Sequence, residues 1–238
     1  MKSSYYKYFA ALLLFGSNGI VASNINLPSY EIVLLRLLLG SLFLITVFTV
    51  SRQRFTFYRN KHTCLYLFIS ASAMGASWML LYEAYQQVGI SIASLAYYCG
   101  PVIVMILSPF LFRETLTWPK IAGFLTVLAG MCLVNLQALD EGKTIWGLFC
   151  GLMSAFMYAL MVTANKKAKP ESGLENSLLQ LVIGSFIVVA FVSMQKNFVL
   201  SLTTIDWIPV LLLGLLNTGI GCYLYFSSIT DLPVQTVA

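Results

Sequence analysis

The chain has 238 residues, of which 59% are hydrophobic and 10% are charged, and its formal net charge is +5. A soluble domain of this length could not bury so much apolar surface, so a soluble globular protein is excluded. Several uncharged runs of about 20 residues are long enough to cross roughly 30 Å of hydrocarbon as helices. Because these runs are continuous and do not alternate, they predict helices and not a barrel.

Apolar segments predict eight membrane-spanning helices. In chain order they cover residues 5–23, 30–50, 63–83, 90–111, 119–139, 144–164, 174–194 and 207–229. A ninth apolar stretch begins after Pro233, close to the last residue of the sequence. The first segment follows Lys2 and Lys7, as a signal peptide would. It has no convincing small-residue cleavage site and further spans follow, so we assign it as a span.

The basic residues predict the orientation in the membrane. With the N-terminus in the cytoplasm, the cytoplasmic segments carry Lys2, Lys7, Arg52, Arg54, Arg59, Lys61, Arg113, Lys120, Lys166, Lys167 and Lys169. Only Lys143 and Lys196 then face outside, while Arg36 lies within a span. Cytoplasmic loops carry an excess of Lys and Arg, so this asymmetry supports both the orientation and the number of spans. We attribute the net positive charge to topology and not to nucleic-acid binding.

The sequence contains an internal repeat. After a shift of 144 residues, EIVLLRLLLGSLFLI aligns with ENSLLQLVIGSFIVV, so that Glu31 matches Glu175. In the same alignment Gly40–Ser41 matches Gly184–Ser185. An odd number of spans separates the two copies, which therefore enter the membrane in opposite senses. Inverted repeats of this kind are typical of secondary transporters.

The predicted fold class is an all-α polytopic membrane protein with an inverted five-plus-five helix repeat. The first repeat, with spans 1 to 5, covers residues 1–140. The second repeat, with spans 6 to 8 and the start of the ninth, covers residues 141–238. A complete second repeat would need two more spans, so we expect the sequence to be truncated after the start of the ninth helix of a ten-span protein.

Three segments resemble those of a known family. The segment SLAYYCGPVIVMILSPFLFRETLTWPKIAGFLTVLAGMCLV contains an apolar helix with a proline, a turn with a glutamate and a helix with spaced glycines, here Pro101, Glu114, Gly123 and Gly130. FGSNGIVAS and LLRLLLGSL are similar to the first two helices of that family. Along its whole length, the chain resembles EamA-like members of the drug/metabolite transporter superfamily.

The resemblance implies two five-helix halves around a central cavity, with alternating access that does not use ATP. We therefore expect a secondary-active transporter of the inner membrane that exports small polar metabolites such as amino acids. A nucleotide-sugar or sugar-phosphate exchanger is the alternative, but it should carry several intramembrane Lys or Arg, and we find only Arg36. A channel is less well supported, and an enzyme is not expected, because no HExxH, paired aspartates or Ser–His pair occurs.

Arg36 lies within the apolar run YEIVLLRLLLGSLFLITVF, where a charge is costly unless it faces water or a partner. Three interpretations stay open for this side chain. Its guanidinium could snorkel to the interface, pair with Glu31 or Glu83, or contact the solute. Gln180 occupies the matching position of the repeat, so the charge belongs to one half only.

Aromatic and polar residues of the spans are further candidates for a solute site. Trp78 and Tyr82 share one helical face, and Thr218 and Tyr225 share another in the eighth span. Such faces suit a cavity wall that binds a flat or zwitterionic solute, and they also suit an interfacial aromatic belt. The predicted solute-binding residues are Asn18, Arg36, Trp78, Tyr82, Tyr97, Tyr98, Asn217 and Tyr225.

Two residues suggest coupling and gating. Glu83 near the outer end of the third span could carry a proton if it is buried, and otherwise is an exposed acid at a helix end. Pro101 removes a backbone donor and should kink the fourth span, which suits a gate.

The remaining polar residues predict no metal site and no cofactor. The five cysteines lie in or beside apolar runs without zinc-ligand spacing, and His62 is the only histidine. We expect Glu114 to be structural, paired with Arg113, Lys120 or the N-terminus of the following helix. The expected partners are a small-molecule solute and the lipid bilayer, with no nucleic acid, and the sequence makes no prediction of an oligomeric state.

Overall fold

The computed structural model describes residues 2–114, 145–193 and 207–237, together with 117–119, 121–123, 125, 126 and 129. Its helices are α1 (Lys2–Gly16), α2 (Asn18–Ala22), α3 (Ser29–Val50), α4 (Lys61–Tyr97), α5 (Cys99–Phe112), α6 (Ile145–Ala168), α7 (Gly173–Ser193), α8 (Trp207–Leu211), a π-helical segment (Leu212–Ile220), α9 (Gly221–Ile229) and α10 (Val234–Val237). A short 3₁₀ turn at Phe57–Arg59 precedes α4. The described part of the chain has no strand.

Helical stretches that could cross a bilayer dominate the described residues. Five are long and apolar enough, namely Tyr30–Val50, Lys61–Phe112, Ile145–Ala168, Gly173–Ser193 and Trp207–Ile229. Large apolar side chains such as Leu42, Phe110 and Phe186 are exposed on the outside of the bundle, where a bilayer would cover them. The protein is an all-helical polytopic membrane protein, as the sequence predicts, although most of the predicted span 119–139 lies outside the described residues.

The first predicted span is interrupted. Helix α1 ends at Gly16 and α2 begins at Asn18, with Ser17 between them. The Ser17 hydroxyl donates to the Leu14 carbonyl oxygen at 2.7 Å, which pairs one of the carbonyl groups that the end of α1 leaves without a helical partner. The break brings polar backbone and side-chain groups into the middle of an apolar segment.

The predicted loop between the third and fourth spans is replaced by one residue. Helix α4 continues to Val88 and departs from helical geometry at Gly89, where φ is 81°. Glycine adopts this backbone conformation at little cost, whereas other residues rarely do. Ala84, before Gly89, and Ala96, after it, both lie beside Gly151. A Cβ at Gly151 would lie 2.8 Å from the Ala96 Cβ and 3.8 Å from the Ala84 Cβ. The chain therefore reverses direction at Gly89.

Pro101, which the sequence predicts will kink or loosen the fourth span, follows an interruption of the helix. It lies in the first turn of α5, where a backbone N–H has no helical acceptor and its loss costs nothing. The interruption is at Tyr98, between α4 and α5, and it adjoins Tyr97, whose carbonyl group an N–H at position 101 would otherwise bond. The fourth span therefore consists of two helical pieces that meet just before the proline.

Small residues let the central helices approach closely. The Ser41 and Ser185 hydroxyl oxygens of α3 and α7 are 3.0 Å apart. Ser77 of α4 donates to the Ser154 carbonyl at 2.9 Å, and Ser154 of α6 donates back to the Ser77 carbonyl at 2.7 Å. A bilayer supplies no hydrophobic driving force for the association of helices, so hydrogen bonds and close packing of this kind stabilise the helix pairs.

One end of the bundle, which we call the tied end, is held by charged side chains on backbone groups. The Glu175 carboxylate accepts from the Thr56 N–H at 2.6 Å and from the Phe57 N–H at 2.9 Å. The Lys166 ammonium donates to the carbonyl oxygens of Ile229 and Thr230, each at 2.8 Å. Lys166 thereby satisfies carbonyl groups at the C-terminus of α9.

Glu114 also belongs to the tied end, with a different partner from those the sequence suggested. Its carboxylate accepts from the Val234 N–H at 2.8 Å and from the Gln235 N–H at 3.0 Å. These are the first N–H groups of α10, which have no partner within the helix and favour a negative charge. The structural role predicted for Glu114 fits this position, but the helix that it caps is 120 residues away.

Replacing Gly173 by Ala tests the contact between α7 and α9. The new Cβ would lie 2.4 Å from the Ser227 Cβ and 2.7 Å from the Ser227 Cα, so the backbone must shift. We expect a destabilisation of about 1–3 kcal/mol, seen as a lower apparent melting temperature of the purified protein. Gly19→Ala is the matched control, because a Cβ at Gly19 meets nothing within 4 Å. Equal melting temperatures of the two variants would contradict the described packing.

Candidate solute-binding cavity

A cavity of about 1040 Å³ lies within the helical bundle. It brings together most of the residues that the sequence nominated as solute-binding, namely Asn18, Arg36, Trp78, Tyr82, Tyr97, Tyr98 and Tyr225. Pro101, the predicted gating residue, also lines it. Asn217, the remaining predicted solute-binding residue, and Glu83, the predicted coupling residue, are not among the lining residues. The walls come from both ends of the chain, so the site exists only in the folded bundle.

Arg36 is buried, with 4% of its surface exposed, and its guanidinium is held on three sides. Nε donates to the Thr218 hydroxyl at 3.0 Å, and Nη1 donates to the Tyr82 hydroxyl at 3.0 Å. The guanidinium carbon lies 4.2 Å from the centre of the Trp78 ring, a cation–π contact. The described residues include no carboxylate paired with Arg36, and the side chain does not snorkel to the interface.

The π-helical segment positions Thr218 against Arg36. The Thr218 hydroxyl donates to the Leu213 carbonyl, five residues earlier, at 2.7 Å and so presents its lone pairs to the guanidinium. A Cβ at Gly40 would lie 2.9 Å from the Thr218 methyl carbon, so the missing side chain at Gly40 leaves room for Thr218. Wide helical turns of this type are frequent at functional sites.

Asn217 holds the break between α1 and α2. Its side-chain nitrogen donates to the Leu14 carbonyl at 3.1 Å, the Ser17 hydroxyl at 3.0 Å and the Asn18 amide oxygen at 2.9 Å. Asn217 is 2% exposed and does not face the cavity, whereas Asn18 does. Asn217 is thus in a position to orient Asn18, and the next residue, Thr218, binds Arg36. A single turn of helix therefore contacts both Asn18 and Arg36.

Aromatic rings form the far wall of the cavity. The Tyr225 ring centre lies 5.9 Å from that of Tyr8 and 5.7 Å from that of Phe15. Tyr97 and Tyr158 meet edge to face at 5.5 Å, and the Tyr158 and Tyr225 hydroxyl oxygens are 3.2 Å apart. The rings therefore pack mainly against one another and form a preorganised apolar surface with hydroxyl groups.

Comparison with known proteins identifies the family. A family model of the EamA-like transporter family matches residues 3–136 and 145–238. The chain belongs to this family. Its members are transporters, which agrees with the polytopic helical fold.

Individual relatives support the same assignment. The uncharacterized transporter YxxF of Bacillus subtilis (strain 168) is 26% identical over 239 residues, which are 98% of this chain and 75% of that protein. A biotin transporter of Salmonella typhimurium is 21% identical over 181 residues, which are 74% of this chain and 60% of that protein. A protein of known crystal structure is 17% identical to this chain in sequence and superposes on it with a TM-score of 0.77. The match covers 97% of this chain and 80% of the other chain, which shows a shared fold.

Glu83 lies apart from the cavity of this EamA-like chain. Its carboxylate accepts from the Tyr30 hydroxyl and from the Gln87 side-chain nitrogen, the latter at 3.1 Å. Its predicted role in proton or ion coupling stays a prediction. Among the described residues, no group of three or more His, Cys, Asp or Glu side chains could hold a metal ion.

Sequence reasoning missed several residues of the site. Tyr8, Phe15 and Tyr158 line the cavity but stand in apolar runs in which aromatic residues are common. The spacing of Thr218 and Tyr225 places both on one helical face, which is a usable signal for a cavity wall. No local pattern indicates that Thr218 binds Arg36. Contacts between residues 182 positions apart leave no trace in hydropathy.

Replacing Asn217 by Ala tests its contacts with the helix break. The variant removes the two amide N–H groups that the Leu14 carbonyl, the Ser17 hydroxyl and the Asn18 amide oxygen share, while the Leu14 carbonyl keeps its bond from Ser17. Each lost hydrogen bond costs about 0.5–1.5 kcal/mol. We expect a lower apparent melting temperature. Asn24→Ala serves as the control, since Asn24 is exposed and bonds only its own helical turn, at the Ile20 carbonyl. If both variants melt at one temperature, Asn217 does not stabilise the break.

Proposed function

We propose that this protein is a secondary-active transporter of small carboxylate-bearing metabolites, such as amino acids, and that it exports them by alternating access. One observation carries the proposal: a buried guanidinium that faces a cavity of about 1040 Å³ and has no carboxylate partner among the described residues. An intramembrane charge of this kind is costly to bury, and in transporters it marks the solute path.

The free part of the guanidinium suits a carboxylate. Arginine has five N–H donors, of which Nε–H binds Thr218 and one Nη1–H binds Tyr82. The other Nη1–H and both Nη2–H groups remain for a solute. The planar fork of Nη1 and Nη2 matches the two oxygens of a carboxylate, and such charge-assisted pairs are short and strong. We propose that Trp78, Tyr82, Tyr97, Tyr98 and Tyr225 hold the rest of the solute.

The relatives fit this chemistry. Biotin, which the Salmonella relative is named for transporting, carries one carboxylate. A nucleotide-sugar or sugar-phosphate exchanger would need several cations for its phosphates, whereas Arg36 is the one charged side chain among the described lining residues. We therefore favour carboxylates over phosphates as the recognised group.

The proposed mechanism uses two inverted repeats, residues 1–140 and 141–238. The contact between Ser41 and Ser185 supports this architecture, because the two residues are separated by 144 positions, the shift that aligns the repeats. Equivalent residues meet in this way when they lie near a twofold axis. Rocking of one repeat against the other would expose Arg36 alternately to the two sides of the membrane.

We further propose that the tied end is cytoplasmic and that the protein lies in the inner membrane. The Ser172 hydroxyl donates to the Gln53 side chain at 3.0 Å, and the Ser4 hydroxyl donates to Asp231 at 2.8 Å. The segments joined by these contacts carry most of the basic residues of the loops, and cytoplasmic loops are rich in Lys and Arg.

Cysteine labelling tests this orientation. In a chain whose native cysteines are replaced by alanine, we expect Arg54→Cys and Lys169→Cys to react with a membrane-impermeant maleimide from the cytoplasmic side only. Gln86→Cys, near the opposite end, should react from the outside only and is the matched control. The proposed topology would be wrong if Arg54→Cys and Lys169→Cys were labelled from opposite faces.

Substitution of Arg36 tests the solute site. With the purified protein in liposomes and a panel of labelled amino acids and other carboxylates, we expect Arg36→Gln to reduce counterflow about tenfold or more, because a charge-assisted bond contributes about 1.5–3 kcal/mol. Arg36→Lys keeps the charge but loses the bidentate fork, and should retain part of the counterflow. Arg54→Gln at the exposed tied end is the control. Undiminished counterflow by Arg36→Gln would rule out the proposed role.

A further inference from the structure

We infer that the cavity prefers monocarboxylates with an apolar or aromatic body and no amino group over amino acids with the same body. The inference rests on the proposed function, in which Arg36 binds a carboxylate, and it narrows the solute class by asking what could receive an ammonium group. The answer depends on the acidic side chains, the freed carbonyl groups and the aromatic faces around the cavity.

None of the described acidic side chains lines the cavity. The chain has nine Asp and Glu residues, of which Asp140, Glu141 and Asp206 lie outside the described residues. The other acids are Glu31, Glu83, Glu114, Glu171, Glu175 and Asp231. An ammonium group that enters the cavity therefore finds no carboxylate on the described walls.

Most of these acids are engaged elsewhere. Glu114 and Glu175 accept from backbone N–H groups at the tied end, and Asp231 accepts from Ser4. Glu83 accepts from Tyr30 and Gln87. Such contacts fix the carboxylates in their places and keep them from turning toward a solute.

Glu31 and Glu171 are also absent from the described lining of the cavity. Glu31 is in the first turn of α3 and is 6% exposed, without lining the cavity. Glu171 lines a separate pocket of about 320 Å³ at the tied end, beside Lys167 and Lys169. The charge that faces the cavity is therefore Arg36 alone, among the described residues.

Two acceptors at the helix break are also occupied. Discontinuous membrane helices often bind cations through carbonyl groups at their breaks. Here the Leu14 carbonyl accepts from the Ser17 hydroxyl at 2.7 Å and from the Asn217 amide at 3.1 Å. The Asn18 amide oxygen accepts from Asn217 at 2.9 Å. Two acceptors beside the cavity, the Leu14 carbonyl and the Asn18 amide oxygen, are therefore already paired.

The aromatic faces offer an ammonium little in exchange. The Trp78 face, the strongest cation–π site, already receives the Arg36 guanidinium at 4.2 Å. Tyr225 packs against Tyr8 and Phe15 and is only 4% exposed. The ammonium of an amino acid is also held within a few ångströms of its own carboxylate. It would therefore lie near the Arg36 charge, and like charges repel strongly in a low-dielectric site.

The size and the lining of the cavity favour an apolar body. Its volume of about 1040 Å³ leaves space beyond a carboxylate bound to Arg36, and apolar side chains such as Phe15, Ile32, Met74, Leu81, Met105 and Met161 border that space. Burial of an apolar body against these walls adds affinity in proportion to its area. A carboxylate with a hydrophobic or aromatic body satisfies both parts of the cavity.

Four compounds with one phenyl body test the inference. They are 3-phenylpropionate with a carboxylate only, phenylalanine with a carboxylate and an ammonium, 3-phenylpropionamide with no charge, and 3-phenylpropylamine with an ammonium only. Binding to the purified full chain is measured by titration calorimetry, and transport by counterflow in liposomes. We expect the Kd of 3-phenylpropionate to be about tenfold or more below that of phenylalanine, with no saturable binding of the amide or the amine.

Asn18→Asp provides a gain-of-charge variant. It is nearly isosteric, keeps the oxygen that accepts from Asn217, and adds a carboxylate to the cavity wall. We expect the preference for 3-phenylpropionate over phenylalanine to fall severalfold, because the ammonium then has an opposite charge in reach. An unchanged preference in this variant would contradict the electrostatic basis of the inference.

The outcomes separate the inference from the proposed function. If phenylalanine binds as tightly as 3-phenylpropionate, and Arg36→Gln abolishes both, the narrower class is wrong while the carboxylate site stands. If both compounds bind equally well to Arg36→Gln, the proposed function fails as well. If none of the four compounds binds, the apolar monocarboxylate class is overturned.

Discussion

The burial of a single guanidinium constrains the whole bundle. Arg36 stands in an apolar helix, and a charge there is tolerated only when protein groups replace the water that it loses. The replacement comes from two other elements, because Thr218 belongs to the π-helical segment and Tyr82 and Trp78 belong to α4. Three segments must therefore meet at one point, and this meeting point forms one wall of the cavity.

Irregular backbone surrounds that point and follows from the same physics. Within a bilayer, each freed N–H or C=O group needs a partner inside the protein. The break at Ser17 is paired by Ser17 and Asn217, and the wide turn of the π segment is paired by Thr218. Asn217, which pairs groups at the break, and Thr218, which binds Arg36, are adjacent in the chain. The shape of the first span and the position of Arg36 are therefore linked through the π segment.

The tied end shows how charges act at the borders of the helices. Glu114 and Glu175 accept from backbone N–H groups, and Lys166 donates to carbonyl groups at the end of α9. Tyr8 donates to the Val237 carbonyl at 2.8 Å just inside this end. In the proposed alternating access, opening toward this side requires these bonds to break, which gives the tied end a natural role in setting the balance between the two states.

Hydropathy and charge patterns were enough to predict the membrane setting, the helical class, most span positions and the place of Arg36 within a span, because these are local properties of the chain. The sequence also selected Trp78 and Tyr82 from helical periodicity. The packing of the helices was needed to show that Arg36 binds Thr218 and none of the described acids, that Asn217 supports Asn18 from outside the cavity, and that Glu114 caps a helix far along the chain. These contacts join residues more than a hundred positions apart, and their geometry depends on how the helices pack, which no local pattern encodes.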